Sequence, residues 1–131
     1  MLIPLAKRTD VYLIMPDLTN KVPLCGDTPE NIIIGVLKGE LHALFGYNES
    51  SGTIEGFCIY RRIDDSTAFI FALYAPGLGW MRRNEYIAWL NEQGFSTLRW
   101  CSQRDEAIWS TLAPGARKLW TVWEWDRKIL H

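Results

Sequence analysis

At 131 residues the chain has the length of one domain, able to bury about two-thirds of its unfolded surface without staples. A formal charge of −1 with both signs scattered along the sequence argues against a nucleic-acid footprint. Cys25, Cys58 and Cys101 are far apart and never form a C-x-x-C pair, which argues against a disulfide framework and a zinc site and suits a reducing compartment. No apolar run has the length of a signal peptide's core or a membrane span, so the expected location is the cytosol, with residues 1–131 forming a single domain.

Leu2-Ile3-Pro4-Leu5-Ala6 is a short apolar start. Val11 to Met15 fits either a strand or one helical turn, and Pro16 is expected to end it. Asp17 to Asp27, with Pro23 and Gly26, reads as loop. Thr28-Pro29-Glu30 is a helix start: a capping hydroxyl, a proline at the first position and an acid in the first turn. Ile32, Ile33, Val36 and Leu37 form its buried stripe, and Gly39 stops it. Glu40–Tyr47 and Thr53–Arg62 read as strands joined by a hairpin loop at Asn48-Glu49-Ser50-Ser51-Gly52. Asp64-Asp65-Ser66 then turns the chain.

Thr67 to Tyr74 is apolar on both faces, as a central covered strand must be. Pro76-Gly77-Leu78-Gly79 breaks it, and a helix is expected from Trp80 to Gln93 with Tyr86, Ile87 and Leu90 facing inward. Gly94 fits the residue just past the helix, with Phe95 packing back on Leu90 as in a Schellman cap. Phe95–Trp100 reads as the next strand. Ser102 and Asp105 have the spacing of a capping box, opening a helix that buries Ala107, Ile108 and Leu112 and closes at Pro114-Gly115. Leu119 to Asp126 alternates and reads as the last strand. Hairpins first, then strands alternating with helices, give a mixed sheet with helices on both faces: α/β, or α+β by order.

The site with most chemical promise is the glycine turn at Gly77 and Gly79, because such a turn feeding a helix N-terminus offers free amides to an anion. A tight turn needing positive φ explains the same glycines. Arg82 and Arg83 sit in the helix's first turn, where cations oppose the macrodipole by about 0.3–1 kcal/mol each unless an anion or an acidic side chain offsets them. His42 and His131 are too few and too separated for a metal site or a triad, so no metal is expected. No Walker or G-x-S-x-G pattern occurs. All seven tryptophans lie in the C-terminal half: Trp80, Trp89, Trp100, Trp109, Trp120, Trp123 and Trp125. Core filling explains most such residues; a partner interface is the sharper alternative.

The order of motifs resembles the GCN5-related N-acetyltransferase (GNAT) superfamily over about Leu2 to Asp126. Ile3-Pro4-Leu5-Ala6 with Asp10 is similar to its opening strand and first-helix acid, and Gly52-Thr53-Ile54-Glu55-Gly56-Phe57 to its glycine-bearing hairpin. Gly77-Leu78-Gly79 is similar to the end of its acyl-CoA pyrophosphate loop. Asp105-Glu106-Ala107 through Pro114-Gly115-Ala116 is similar to its last helix and the glycine-led strand after it. Size and motifs are most similar to small GNAT-like proteins of tailed bacteriophages, some of them virion components. The resemblance implies a twisted mixed sheet with helices on both faces, acetyl-CoA as the cofactor, and Gly77, Leu78, Gly79, Arg82 and Arg83 as its contacts.

Three positions depart from the family pattern. Tyr74 stands where the family's loop begins with Gln or Arg, Thr111 where a general-acid tyrosine is frequent, and Thr67 to Tyr74 carries no carboxylate base. Tyr74 is the remaining candidate acid and Glu55, with Asp64 and Asp65, the remaining candidate base; surface solvation of the carboxylates and packing of the tyrosine are the stronger readings. The resulting expectation is a GNAT-fold protein with a degenerate acyl-CoA site that acts by protein binding, as a virion-associated or structural component made in the host cytosol. The alternatives are an active acyl-CoA-dependent N-acyltransferase and an inhibitor of a host protein. Strand alternation puts Trp120 on the side of Glu124, making it the candidate exposed anchor for a partner or self-association. No nucleic acid or membrane partner is expected.

Overall fold

The computed structural model describes residues 2–4, 7–20, 28–76, 80–101, 117–119 and 122–126. Strand β1 (Leu2–Pro4) leads into a 3-10 helix (Arg8–Ile14) and then directly into helix α1 (Met15–Asn20). The stretch from Val11 is therefore helical throughout, and Pro16 does not end it. Proline lacks only an N–H that the first turn of a helix leaves unpaired anyway, so it sits within that turn without loss. Asp17 to Asn20, expected as loop, completes the helix. At the other end the Asp10 carboxylate accepts a hydrogen bond from the Lys7 amide at 3.2 Å.

Helix α2 (Pro29–Leu37) begins as its sequence directs, the Thr28 hydroxyl accepting from the Asn31 amide at 3.2 Å. It ends at Gly39, whose φ of 80° lets the Glu40 and Gly39 amides turn back to the carbonyls of Gly35 and Val36. Strands β2 (His42–Asn48), β3 (Thr53–Arg62) and β4 (Thr67–Tyr74) form an antiparallel meander. Helix α3 (Trp80–Glu92) crosses to β5 (Thr97–Cys101), which runs parallel to β4 as expected. The α3 exit is a full Schellman motif: Phe95 N–H reaches Leu90 O, Gly94 N–H reaches Asn91 O, and Phe95 is buried beside Leu90.

The last strand expected from Leu119 to Asp126 is two strands, β6 (Arg117–Leu119) and β7 (Val122–Asp126), antiparallel to each other. Alternation of Trp, Thr and Val continues through Trp120-Thr121 with no turn-forming residue, so periodicity could not mark the break. The helix expected between Ser102 and Leu112 lies outside the described residues. The seven-stranded mixed sheet has the order β1-β2-β3-β4-β5-β7-β6.

Each face of this sheet carries its own apolar layer. On one face Val11, Ile14 and Leu18, with Ile32, Ile33 and Val36 of α2, pack on Phe45, Phe57 and Ile59. On the other, Tyr86 and Leu90 of α3 pack on Leu44, Cys58, Ala68, Ile70 and Leu98. Two bulges adjust which side chains reach which layer. Phe71 is the extra residue of β4, since Ile59 pairs with Ala72 while Tyr60 pairs with Ile70. It shifts the alternation, so Ile70 belongs to the α3 layer and Ala72 to the opposite one. Glu55 is the corresponding extra residue of β3, between Ile54, opposite Tyr47, and Gly56, opposite Gly46.

Candidate functional site

Strand β4 sits fourth of seven, and its two ends are treated differently. At its start the Ser66 carbonyl accepts both the Ser96 and Thr97 amides at 3.0 Å, fastening the beginnings of β4 and β5 together. Parallel pairing then runs from Thr67↔Thr97 to Ile70↔Trp100. From Phe71 onward β4 has β3 as its partner and, among the described residues, none on the β5 side. Open α/β sheets bind ligands beyond the C-terminal ends of their parallel strands, and α3 starts six residues beyond the end of β4.

The predicted site residues distribute unevenly along β4 and its neighbours. Tyr74, at the end of β4, is half-buried and packs on the α1–α2 side with its ring centroid 5.7 Å from that of Phe57. Glu55 is half-buried, and its carboxylate accepts a 2.6 Å hydrogen bond from the Asn48 side-chain amide. The oxygen of that amide in turn accepts from the Ser50 and Ser51 amides at 2.9 and 3.2 Å, so Glu55 is part of the device that shapes the hairpin loop. It lines a recess with Leu2, Gly46, Gly56, Ala75, Pro76, Glu85 and Tyr86, a set that leaves out Tyr74. Asp64 accepts from the Ser66 amide at 2.9 Å, and that bond holds its carboxyl below the usual carboxylate range. It closes the turn before β4 and lies at the opposite end of the strand from Tyr74.

Gly77, Leu78 and Gly79 lie outside the described residues, as does Trp120. Arg82 and Arg83 are the third and fourth residues of α3, and Arg83 is half-buried. Among the described residues no group of histidine, cysteine or carboxylate side chains is placed to hold a metal ion, and no helix is long and apolar enough to cross a membrane. Cys58 is fully buried, and burial pushes its thiol up to about 12, which makes it a packing residue and not a nucleophile.

Tyr86, read from the sequence only as a core residue, has a more particular place. Its hydroxyl reaches the facing pair Gly46 and Gly56, and a Cβ on Gly46 would overlap it. A Cβ on Gly56 would overlap the Tyr74 carbonyl and come within 2.9 Å of the Tyr86 hydroxyl. These glycines join α3, β2, β3 and the end of β4 at one point, in the lining of the recess that holds Glu55.

The fold is that of GNAT acetyltransferases of known structure. The chain is similar to the ribosomal-protein-S18-alanine N-acetyltransferase of Escherichia coli, with a TM-score of 0.67 over 95% of this chain and 92% of that one at 14% identity. It is similar to Tetrahymena GCN5, with a TM-score of 0.61 over 89% and 86% of the two chains at 12% identity. A GNAT-family acetyltransferase from Staphylococcus aureus gives 0.57 over 97% and 98% at 13% identity. No family model matches the sequence, and no curated protein is similar to it in sequence.

The fold makes acetyl-CoA a plausible ligand. Its extended arm would find an apolar strand in β4 from Phe71 to Tyr74.

Proposed function

We propose that the chain is a GNAT-fold binding protein whose acyl-CoA site has lost the acid and base of catalysis. The observation that carries this reading is the separate engagement of the two candidate groups, Glu55 with Asn48 and Tyr74 with Phe57. Transfer to an amine requires a base to take the ammonium proton and an acid to protonate the departing thiolate, both within reach of one carbonyl carbon. The resemblance to tailed-phage proteins supports a role as a virion-associated or structural component in the host cytosol, acting through a protein contact for which Trp120 is the proposed anchor. Inhibition of a host protein rests on size alone.

The match of the fold to N-acetyltransferases of known structure favours a second reading, an active acyl-CoA-dependent N-acyltransferase. Calorimetry with acetyl-CoA, paired with a thiol-release assay over a panel of primary amines, separates the two. Weak or absent binding and no amine-dependent thiol release are expected. Micromolar binding together with amine-dependent turnover overturns the binding-only reading. Such binding without turnover keeps it and assigns the acyl-CoA site to cofactor binding.

A further inference from the structure

Among the described residues, the helical layer formed by the 3-10 helix, α1 and α2 stops partway along β3. On that face Phe57 and Ile59 are fully buried, and two residues further on Arg61 is exposed. Ile63 follows on the same side by strand alternation and is 40% exposed. Its amide still donates to the Thr67 carbonyl at 2.9 Å, so the hairpin ladder continues under it. Across the ladder, Phe69 is the register partner of Arg61, and its ring centroid lies 5.0 Å from that of Phe71. Both rings are only half-buried. A central strand is ordinarily covered on both faces, so Ile63, Phe69 and Phe71 form an apolar area that the folding of one copy leaves uncovered.

Two opposite charges flank Ile63, each two residues away. Arg61 has its guanidinium 5.7 Å from the Phe71 centroid, and Asp65 lies in the turn between β3 and β4. Both side chains are exposed, and neither has a hydrogen bond or ion pair with a described residue. Their immediate neighbours are used differently. Arg62 has its guanidinium 4.3 Å from the Phe95 centroid and donates to the Asp65 carbonyl at 3.1 Å. The Asp64 carboxylate accepts from the Ser66 amide at 2.9 Å. Arg62 and Asp64 therefore shape the turn, while Arg61 and Asp65 remain as a cation and an anion for something outside the fold.

We propose that this area is the contact between two copies of the chain, related by a two-fold axis near Ile63. A two-fold interface sets one patch against itself, so every contact between unlike residues occurs twice. An axis crossing β3 at Ile63 reverses the strand in the second copy. It brings Ile63 onto Ile63 and sets Arg61 of each copy opposite Asp65 of the other. An unlike pair at each end then rims an apolar centre, as in protein interfaces generally. The patch is thus its own complement, which a partner of a single charge sign would not be. A formal charge of −1 leaves little repulsion between copies. A centre of three apolar side chains is small against the roughly 800 Å² per partner of a standard interface, so the dimer is a weak one. The contact is independent of Trp120 and of acyl-CoA, and holds whether or not acyl transfer occurs.

Sedimentation velocity of the whole chain across a wide range of concentration tests this. A monomer–dimer equilibrium with no larger species is expected, because a two-fold contact closes on itself. Arg61→Asp and Asp65→Arg each set like charges opposite one another twice and should weaken association at least about tenfold. Combined in one chain, the two changes restore unlike pairs and should return the affinity to within about threefold of the parent. Ile63→Glu should abolish the dimer. All three positions are exposed, and circular dichroism of the variants checks that the fold is kept. A chain that stays monomeric overturns the proposal and leaves the face to a different protein. A dimer that survives Ile63→Glu, or single reversals without effect, also overturns it. So does a double reversal that fails to recover, or growth beyond a dimer.

Discussion

Gly56 shows how a single missing methyl group can matter in the lining of the recess beside Glu55. An alanine there would press on the Tyr74 carbonyl, a backbone atom in a paired strand that cannot yield, so Gly56→Ala should cost about 3 kcal/mol. Gly46→Ala meets only the tip of the Tyr86 side chain and should cost about 1 kcal/mol. Adding Tyr86→Phe should recover most of the Gly46→Ala loss and little of the Gly56→Ala loss, a coupling that urea unfolding of the double-mutant cycle reads directly. Equal rescue of both would mean that the hydroxyl, and not the Tyr74 carbonyl, limits Gly56. Spacing told that Tyr86 faces inward, but nothing local could tell that two glycines on a hairpin make room for its hydroxyl. Glu55 is a similar case: its carboxylate stood out as a candidate base, while its engagement by Asn48 depends on a bulge that no pattern announces.

Elements bounded by their own chemical signals were the readable ones. Thr28-Pro29 and Gly39 delimit α2, Asn48 to Gly52 closes the β2–β3 hairpin, and Gly94 with Phe95 ends α3, all where the residues direct. The continuation of the helix through Pro16 to Asn20 was missed because a proline allowed in a first turn looks like a terminator out of context. The β6–β7 break was missed because tryptophan and threonine carry no turn preference. Gly94 isolates the energetic worth of one such signal. Its φ is 96°, yet nothing lies within 4 Å of the place a Cβ would occupy. Gly94→Ala should therefore lose about 1–2 kcal/mol from backbone strain alone. Thermal unfolding would show it; an unchanged midpoint would mean that the helix end simply refolds into another cap.

For the molecule as a whole, the two-layered core ties stability to alkaline pH. Cys58 lies at the centre of the α3 layer with its thiol at about 12, and burial raises the Tyr60 hydroxyl to about 12 as well, with added repulsion from Cys58. Both groups stay protonated in the fold beyond the pH at which the open chain releases their protons. Their contribution is therefore complete below about pH 9 and falls away as the pH rises toward 12. From Cys58 alone the loss between neutrality and roughly pH 10.5 should be on the order of 2 kcal/mol. Urea midpoints across that range should fall accordingly, and Cys58→Ala should flatten that part of the slope while lowering the neutral value; an unchanged slope would remove the thiol as its source.

Among the described residues β4 is fastened to β5 at their beginnings alone, an arrangement with the mechanics of a pair of scissors. The Ser66 carbonyl, holding the Ser96 and Thr97 amides, and the pairs from Thr67↔Thr97 to Ile70↔Trp100 form the pivot. Phe71 to Tyr74 is a blade about 13 Å long at the usual rise per residue. Rotation by roughly 10° about the pivot would move its tip by about 2 Å, half a strand spacing, while the pivot stays closed. An object wedged between the blades would then be accommodated by turning one half of the sheet against the other, without breaking a strand pair.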